Sequence, residues 1–338
     1  MEDAGVRILV SSSEMAVVGL TEVLSRLRVI TRAYLKLRTI LKHDHPDLLI
    51  LIDYPDFNIA LAKGAKRFNV PVLYYISPQV WAWRQGRVKK LVDRVDRMAV
   101  ILPFEEGFYR QKGLAVEYVG HPLLDAMPQD LSKENALREL GFKATFPILG
   151  LLPGSRKEEI KNLLPAMVKG VEIMSSRYPH IRCILPLAPT ISREAVAPIT
   201  EPSPVEIKIL EGDIYKALKA CDIALVTSGT ATLEIAMAAV PMVIVYRVSP
   251  ISYWIGRMVI KVPHIGLVNL VAGEEIVPEI IQNEVSPERL AREALSILED
   301  GQKRENMIRK MEALRERMGK GRPSERTARI ALEMLARH

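Results

Sequence analysis

The chain has 338 residues, of which 49% are hydrophobic and 26% charged, and its 47 Lys and Arg against 40 Asp and Glu give a net charge of +7. A chain of this length exceeds what one hydrophobic core fills, so it is not a single small binding module. Its composition is that of ordinary globular proteins, which excludes a largely disordered or collagen-like chain. We therefore expect two globular domains.

A basic amphipathic helix is predicted near the start of the chain. Six basic and no acidic residues lie from Arg26 to Lys42. Such a helix either packs its apolar stripe on the core or lies on an anionic membrane, and the lack of acidic residues favours the membrane. The stripe has apolar residues three and four apart at Leu20, Val23, Leu27, Ile30, Tyr34, Leu37 and Leu41. The predicted docking residues are Leu20, Val23, Leu24, Leu27, Arg28 and Ile30.

Short apolar runs alternate with helical segments along the rest of the chain. This pattern predicts the α/β class, with Rossmann-like domains built on parallel sheets whose strands are buried on both faces. A segment rich in Pro, Asp, Lys and Glu near residue 140 predicts domains 1–140 and 141–305, with a helical segment 306–338 crossing them. The predicted strands are 48–52, 72–76, 98–102, 148–152, 183–187, 207–210, 223–226 and 242–246.

Polar residues follow the first-domain strands at the edge where open parallel sheets bind ligands. Asp53 follows an unbroken apolar run, so we expect partial desolvation to raise its carboxyl pKa toward that of a general base. A helix N-cap is the alternative for this residue and for Asp56. His121 either lines the space near the domain junction or is structural. The other candidates beside these strands are Asn58, Ser77, Gln79, Trp83 and Arg84.

The second domain carries a predicted phosphate site. Arg156 follows strand 148–152, and Ser228-Gly229-Thr230 lie between strand 223–226 and a helix, where free N–H groups favour an anion. Glu234, one turn further, offers an acceptor for ribose hydroxyls. A surface turn and a helix cap are the alternatives for the separate motifs. Together they favour a nucleotide diphosphate, and the lack of any Asp-x-Asp favours catalysis without a metal or other cofactor.

Several of these motifs together make the chain resemble the lipid-A-disaccharide synthase family, whose members are inverting glycosyltransferases with two Rossmann-like domains facing across a cleft (GT-B). The resemblance runs from about Glu14 to the C-terminal helices. Its most specific segments are 53–58 (DYPDFN), 77–85 (SPQVWAWRQ), 102–105 (LPFE), 120–122 (GHP), 152–156 (LPGSR), 228–230 (SGT) and 268–273 (VNLVAG).

The resemblance implies a reaction of lipid A biosynthesis in a Gram-negative bacterium. UDP-2,3-diacylglucosamine and 2,3-diacylglucosamine 1-phosphate (lipid X) would form a β-1,6-linked disaccharide 1-phosphate and UDP. Asp53 would be the general base, and Arg156 would stabilise the leaving UDP. The acylated substrates imply docking on the inner membrane surface, and the resemblance permits a homodimer. The implied UDP-binding residues are Arg156, Ser228, Gly229, Thr230, Glu234 and Asn269, with Gln282 as a further candidate.

The sequence departs from the family at its start. Family members begin with a strand, a Gly-Glu-x-Ser-Gly-Asp loop and a helix that are absent from the printed sequence. We therefore expect an incomplete first domain, either because the start codon was assigned too late or because the chain is a truncated paralogue. We expect the chain as printed to keep its UDP site and to be impaired in acceptor binding or stability.

Three other functions are open. They are another UDP-sugar enzyme of the same architecture, such as a peptidoglycan transferase or an epimerase, a noncatalytic membrane-associated protein on the same scaffold, and a nucleic-acid binder. The last is the weakest, because the chain contains no nucleic-acid-binding motif.

The sequence also predicts a compartment. Cys183 and Cys221 form no CxxC motif, which favours a reducing environment, and the acidic start has no export signal. No window is apolar enough for a spanning helix. We expect a cytoplasmic protein, peripheral on the inner membrane.

Overall fold

A computed structural model describes residues 4–11, 20–82, 85–128, 131–142, 147–259, 262–319 and 321–337, and it describes the side chains of these residues except at 20–27, 85, 255 and 259. The chain forms two compact units, Met1–Gly120 with Arg322–His338, and His121–Gly321. Each unit contains a parallel sheet and helices, so the predicted α/β class is confirmed.

The first unit is built on a four-stranded parallel sheet in the order β1-β2-β3-β4. Helices connect the strands, as parallel pairing requires. The strands are β1 Leu49–Ile52, β2 Val72–Tyr75, β3 Arg97–Val100 and β4 Val116–Tyr118, and the helices are α1 Leu20–His43, α2 Pro55–Arg67, α3 Val88–Val92 and α4 Pro103–Arg110.

Among the described strands, β1 lies at the edge of this sheet, and one of its faces is open. Leu51 is buried in the core, but Ile50 and Ile52 are 46% and 43% exposed. The prediction that this strand is buried on both faces is therefore wrong. The apolar run itself does not distinguish an edge strand from a central one.

The second unit is built on a six-stranded parallel sheet in the order β10-β9-β8-β5-β6-β7. Its strands are β5 Ile148–Leu152, β6 Arg182–Leu187, β7 Ile207–Glu211, β8 Ile223–Thr227, β9 Met242–Tyr246 and β10 Glu279–Ile281. Its helices are α5 Leu123–Ala126, α6 Lys133–Leu140, α7 Lys157–Ser175, α8 Arg193–Thr200, α9 Ile214–Ala220, α10 Ala231–Met237, α11 Pro250–Val259, α12 Leu267–Ala272, α13 Pro287–Glu299 and α14 Gly301–Arg317. All eight predicted strands are present, whereas β4 and β10 were not among those eight, because three residues carry too little pattern.

The boundary between the units lies after Gly120, not near residue 140 as predicted. Helix α6 belongs to the second unit because its ends are attached there. Lys133 Nζ lies 2.5 Å from Asp222 Oδ1, and Lys208 Nζ donates to the carbonyl oxygen of Leu140. The polar composition between residues 121 and 140 therefore reflects the surface of the second unit.

The C-terminal segment divides between the units. Helix α14 stays in the second unit, where Lys303 Nζ contacts Glu293 Oε1 at 2.8 Å. Helix α15 (Pro323–Leu335) belongs to the first unit. Its buried residues Ile330 and Met334 pack with Leu73 and Val119 of that unit.

Candidate functional site

A cavity of about 490 Å³ lies in the second unit at the carboxyl ends of its strands. It is bordered by the segments that follow β5, β6, β7 and β8. Five predicted residues line it together, namely Arg156, Ser228, Gly229, Thr230 and Glu234. The parallel sheet brings them together because the carboxyl ends of parallel strands meet at one edge.

The loop after β5 holds Arg156 at the cavity through Glu159. One oxygen of Glu159 accepts hydrogen bonds from the backbone N–H groups of Ser155 (2.9 Å) and Arg156 (3.1 Å), and the other contacts Arg156 Nη1 at 2.8 Å. The Arg156 side chain is 71% exposed. Glu159 therefore holds the guanidinium through its Nη1 atom, while the rest of the group stays accessible to an anion. Bidentate binding of a phosphate needs such an accessible, oriented guanidinium.

Glycine is required at position 154 by this contact. Gly154 has φ +118°, and a Cβ there would lie 2.1 Å from Glu159 Oε2. Glu159 was not among the residues predicted for this site. The available signal was an acid three residues after Arg156, the N-cap of α7, where carboxylates commonly cap backbone N–H groups.

The turn after β8 opens toward the cavity at Gly229. This residue has φ +156°, and a Cβ there would meet no described atom within 4 Å. The Ser228 hydroxyl donates to the carbonyl oxygen of Ile265 at 2.7 Å, and Thr232 Oγ1 donates to that of Gly229 at 2.7 Å. Among the described contacts, Thr230 at the N-cap of α10 makes no side-chain capping hydrogen bond, so simple capping does not account for it.

Glu234 places a partly dehydrated carboxylate at the cavity wall. Burial raises its pKa above the ordinary carboxyl value. The neighbouring Tyr215 has a raised phenol pKa, through its own burial and the Glu234 charge. A carboxylate in such a place is a strong acceptor for hydroxyl groups.

Asn269 and Gln282 were predicted to bind UDP, but neither is among the described residues that line the cavity. The buried Asn269 amide donates to the Val277 carbonyl and to Glu279 Oε1, both at 2.8 Å, and it accepts from two backbone N–H groups. Gln282 bonds to both backbone groups of Val248.

Asn269 acts on the cavity indirectly. The other oxygen of its partner Glu279 accepts from the Ile265 N–H at 2.9 Å, and the Ile265 carbonyl receives the Ser228 hydroxyl. This chain of contacts fixes the turn after β8.

In the first unit, Asp53 sits on a strained turn after β1. Asp53 and Tyr54 have φ +47° and +45°. The Asp53 carbonyl accepts from Asn58 Nδ2 at 2.6 Å and from Tyr74 Oη at 2.7 Å. The carboxylate itself is exposed, so the predicted desolvation is wrong, because β1 is an edge strand. Nor is Asp53 the N-cap of α2, since Tyr54 occupies that position.

Two further predicted residues, in the first turn of α2, have internal partners. Asp56 lies 2.5 Å from Arg87 Nη2, and the buried Asn58 also donates to the Ile52 carbonyl at 3.1 Å. Asn58 therefore supports the turn rather than presenting its amide to solvent.

The segment after β2 is fastened to a buried glutamate. Glu105, only 1% exposed, accepts from Ser77 Oγ at 2.7 Å and from Trp81 Nε1 at 2.9 Å. Burial raises the pKa of this carboxyl group. Tyr109 Oη donates to the Pro78 carbonyl at 2.7 Å. Ser77 is thus structural, Gln79 is exposed, and Trp83 and Arg84 lie outside the described residues.

His121 is buried, which favours the structural alternative for it. Its Nδ1 accepts from the Leu123 N–H at 3.2 Å, and burial lowers its pKa to about 4. The ring is therefore neutral near pH 7 and caps the first turn of α5.

The described part of helix α1 packs on the core of the first unit, which is one of its two predicted interpretations, and docking on a membrane stays a prediction. Leu41 is buried, and Tyr34 and Leu37 pack against the core of the first unit. Of the predicted docking residues, Arg28 is exposed and Ile30 partly buried. The side chains of Leu20, Val23, Leu24 and Leu27 lie outside the described residues.

Two kinds of feature are absent from the described residues. No described helix has the length and apolarity needed to cross a bilayer. No three described His, Cys, Asp or Glu side chains come together as a metal site. Catalysis without a metal stays a prediction.

The chain matches the family model described as lipid-A-disaccharide synthetase over residues 1–333. It is 48% identical over 337 residues to the lipid-A-disaccharide synthase of Geobacter metallireducens, covering 100% of this chain and 88% of the relative. It is 47% identical over 336 residues to that of Nitrosococcus oceani, covering 99% and 86%.

Solved structures share the fold at low sequence identity. The S. aureus MnaA–UDP co-structure has a TM-score of 0.61 at 15% identity, covering 93% of this chain and 81% of that one. The calicheamicin glycosyltransferase CalG4 has a TM-score of 0.56 at 15% identity, covering 95% and 82%. These likenesses support the predicted GT-B fold and carry no further functional detail.

Proposed function

The chain belongs to the lipid-A-disaccharide synthase family, and from this premise we propose how its residues carry out the reaction. It is a hexosyltransferase of lipid A biosynthesis. We assign UDP-2,3-diacylglucosamine as the donor and 2,3-diacylglucosamine 1-phosphate as the acceptor. The products are the β-1,6-linked disaccharide 1-phosphate and UDP.

The observation that carries the proposal is the cavity of the second unit. It joins the exposed guanidinium of Arg156 to the open turn at Gly229 and to the Glu234 carboxylate. Its volume of about 490 Å³ falls in the range of small-ligand pockets. We place the diphosphate between Arg156 and the turn, and the ribose hydroxyls on Glu234.

The chemical step is a single displacement with inversion. Asp53 takes the proton from the acceptor 6-hydroxyl, and that oxygen attacks C1 of the donor sugar. The bond from C1 to the diphosphate oxygen breaks, and its electron pair leaves with UDP. Arg156 stabilises the charge that develops on the leaving group, an interaction stronger in the transition state than in the ground state.

Other residues position these groups. Asn58 and Tyr74 hold the turn that presents Asp53, and Glu105 holds the segment that leads to Trp83 and Arg84. We keep Asp56, Gln79, Trp83 and Arg84 as candidate acceptor contacts. We also propose peripheral association with the inner membrane, to which Leu20–Ile30 would contribute, and catalysis without a metal.

The test uses the purified chain with both substrates in detergent micelles, with ³²P on the acceptor phosphate. The expected result is a labelled disaccharide 1-phosphate and one UDP for each disaccharide. UDP release without labelled disaccharide, or isomerisation of the donor sugar, would contradict the proposal and favour a hydrolase or an epimerase.

A further inference from the structure

Helix α11 presents an apolar stripe to solvent in the unit that carries the nucleotide cavity. Ile251, Trp254 and Met258 are 74%, 65% and 73% exposed. Their spacing of three and four residues puts them on one face of the helix. Single exposed apolar residues are ordinary, but a stripe of three large ones on one helix marks an interaction surface.

The sequence around the stripe is basic. No acidic residue occurs in the sequence between Glu234 and Glu274, whereas Arg247, Arg257 and Lys261 lie within it. Arg257 is exposed, and its guanidinium lies 6.0 Å from the centre of the Tyr253 ring. Arg247 donates to the backbone carbonyls of Gln282 and Val285, which leaves its charge without a carboxylate at those contacts.

This combination fits a negatively charged lipid surface. Tryptophan prefers the boundary between headgroups and acyl chains, and arginine beside an apolar stripe pairs with anionic headgroups. A second copy of the chain fits less well, because a two-fold contact through this face would bring two like-charged surfaces together.

We propose that α11 is a membrane-docking surface of the second unit, separate from the segment Leu20–Ile30. Ile251, Trp254 and Met258 insert at the boundary of an anionic bilayer, and Arg257 contacts the headgroups. The proposal rests on the proposed function, since a donor that carries acyl chains has to be collected from a bilayer. It adds that the donor-binding unit itself touches the membrane.

The experiment measures binding of the full chain to vesicles of phosphatidylethanolamine with phosphatidylglycerol, and to phosphatidylcholine vesicles, without substrates. The triple variant Ile251→Ser, Trp254→Ser, Met258→Ser is expected to bind anionic vesicles about tenfold more weakly. Arg257→Gln is expected to weaken binding to anionic vesicles only. The matched control is Leu332→Ser, which removes a 66% exposed residue from α15 and should leave binding unchanged.

Fluorescence gives a second readout that does not depend on truncating the stripe. In the wild type, we expect tryptophan emission to shift to shorter wavelength when anionic vesicles are added. This blue shift should be lost in Trp254→Phe, a variant that keeps an aromatic ring and most of the vesicle binding. Retention of the shift in Trp254→Phe would overturn the assignment, because Trp81 or Trp83 would then be its source.

Vesicle binding and sugar transfer together separate a failure of the docking proposal from a failure of the proposed function. Unchanged vesicle binding by the triple variant overturns the proposal, as does a loss of self-association in that variant with vesicle binding intact. UDP affinity and transfer in micelles should stay at wild-type values in the triple variant. A wild-type chain that docks through α11 yet transfers no sugar would contradict the proposed function and leave the docking surface standing.

Discussion

The buried Tyr74 hydroxyl donates a 2.7 Å hydrogen bond to the main-chain carbonyl of Asp53. The carbonyl belongs to a residue with φ +47°, a conformation that costs free energy unless its surroundings enforce it. Asn58 bonds to the same oxygen at 2.6 Å. Two side chains from the interior of the first unit thus hold the main chain of the turn that carries the exposed Asp53 carboxylate.

Replacing Tyr74 with Phe should therefore reduce catalysis more than binding. We expect kcat to fall roughly tenfold, because a small misplacement of a reacting group is costly, while UDP affinity stays unchanged. The free energy of unfolding should fall by about 1 kcal/mol, as for other lost buried hydrogen bonds. Steady-state kinetics, UDP titration and urea unfolding measure the three quantities.

The control for Tyr74→Phe is Thr327→Val, which removes a similar 2.8 Å bond from a buried hydroxyl to the Pro323 carbonyl in α15. It should lower stability by a comparable amount and leave kcat unchanged. Equal losses of kcat in the two variants would show that Tyr74 acts only on stability.

A methyl group at position 154 should disrupt the loop that presents Arg156. In Gly154→Ala the new Cβ would lie 2.1 Å from Glu159 Oε2, on a backbone with φ +118°. We expect a stability loss of about 1–3 kcal/mol and weaker UDP binding. Gly113→Ala separates strain from collision, since φ is +85° there and no described atom lies within 4 Å of the Cβ. It should destabilise the protein without changing UDP affinity.

Removing the guanidinium of Arg156 should impair transfer strongly. We expect Arg156→Ala to lower kcat/KM by about 10²–10³, the usual cost of losing a group that stabilises developing charge. Lys157→Ala, which removes the next cation along the chain, also exposed, should change it little. A comparable loss in both variants would mean that general positive charge, and not the placement of Arg156, supports the reaction.

The raised pKa of Glu234 gives UDP binding and stability opposite pH dependences. Because burial disfavours the carboxylate, the folded state binds a proton more tightly than the unfolded state does. Stability therefore falls as pH rises between the unfolded and the folded pKa. UDP binding should instead weaken as pH falls through the folded pKa, since the ribose loses its charged acceptor.

Glu234→Gln tests both effects. It should be more stable than the wild type at neutral pH, with the difference shrinking in acid, and its UDP affinity should be lower and nearly independent of pH in that range. Calorimetric UDP titration and urea unfolding across the acidic range measure these quantities. A variant that keeps the pH dependence of the wild type would show that another group titrates.

The sequence predicted the cavity better than it predicted the supporting contacts. Arg156, Ser228 and Glu234 follow strands of one parallel sheet, and that topology alone brings them together. The roles of Glu159 and Tyr74 depend on side-chain pairing across separate segments, which no periodicity encodes. The exposure of Asp53 was missed because an apolar run does not show that β1 is an edge strand.

The most direct test of the account is the rate of disaccharide formation by Asp53→Asn with UDP affinity measured in parallel. We predict transfer below about 1% of the wild-type rate, with UDP affinity unchanged, because the variant loses the general base and keeps the cavity. Asp93→Asn, an exposed acid at the end of α3, is the control and should transfer at the wild-type rate. Transfer by Asp53→Asn at a rate close to that of the control would contradict the assignment of Asp53 as the base.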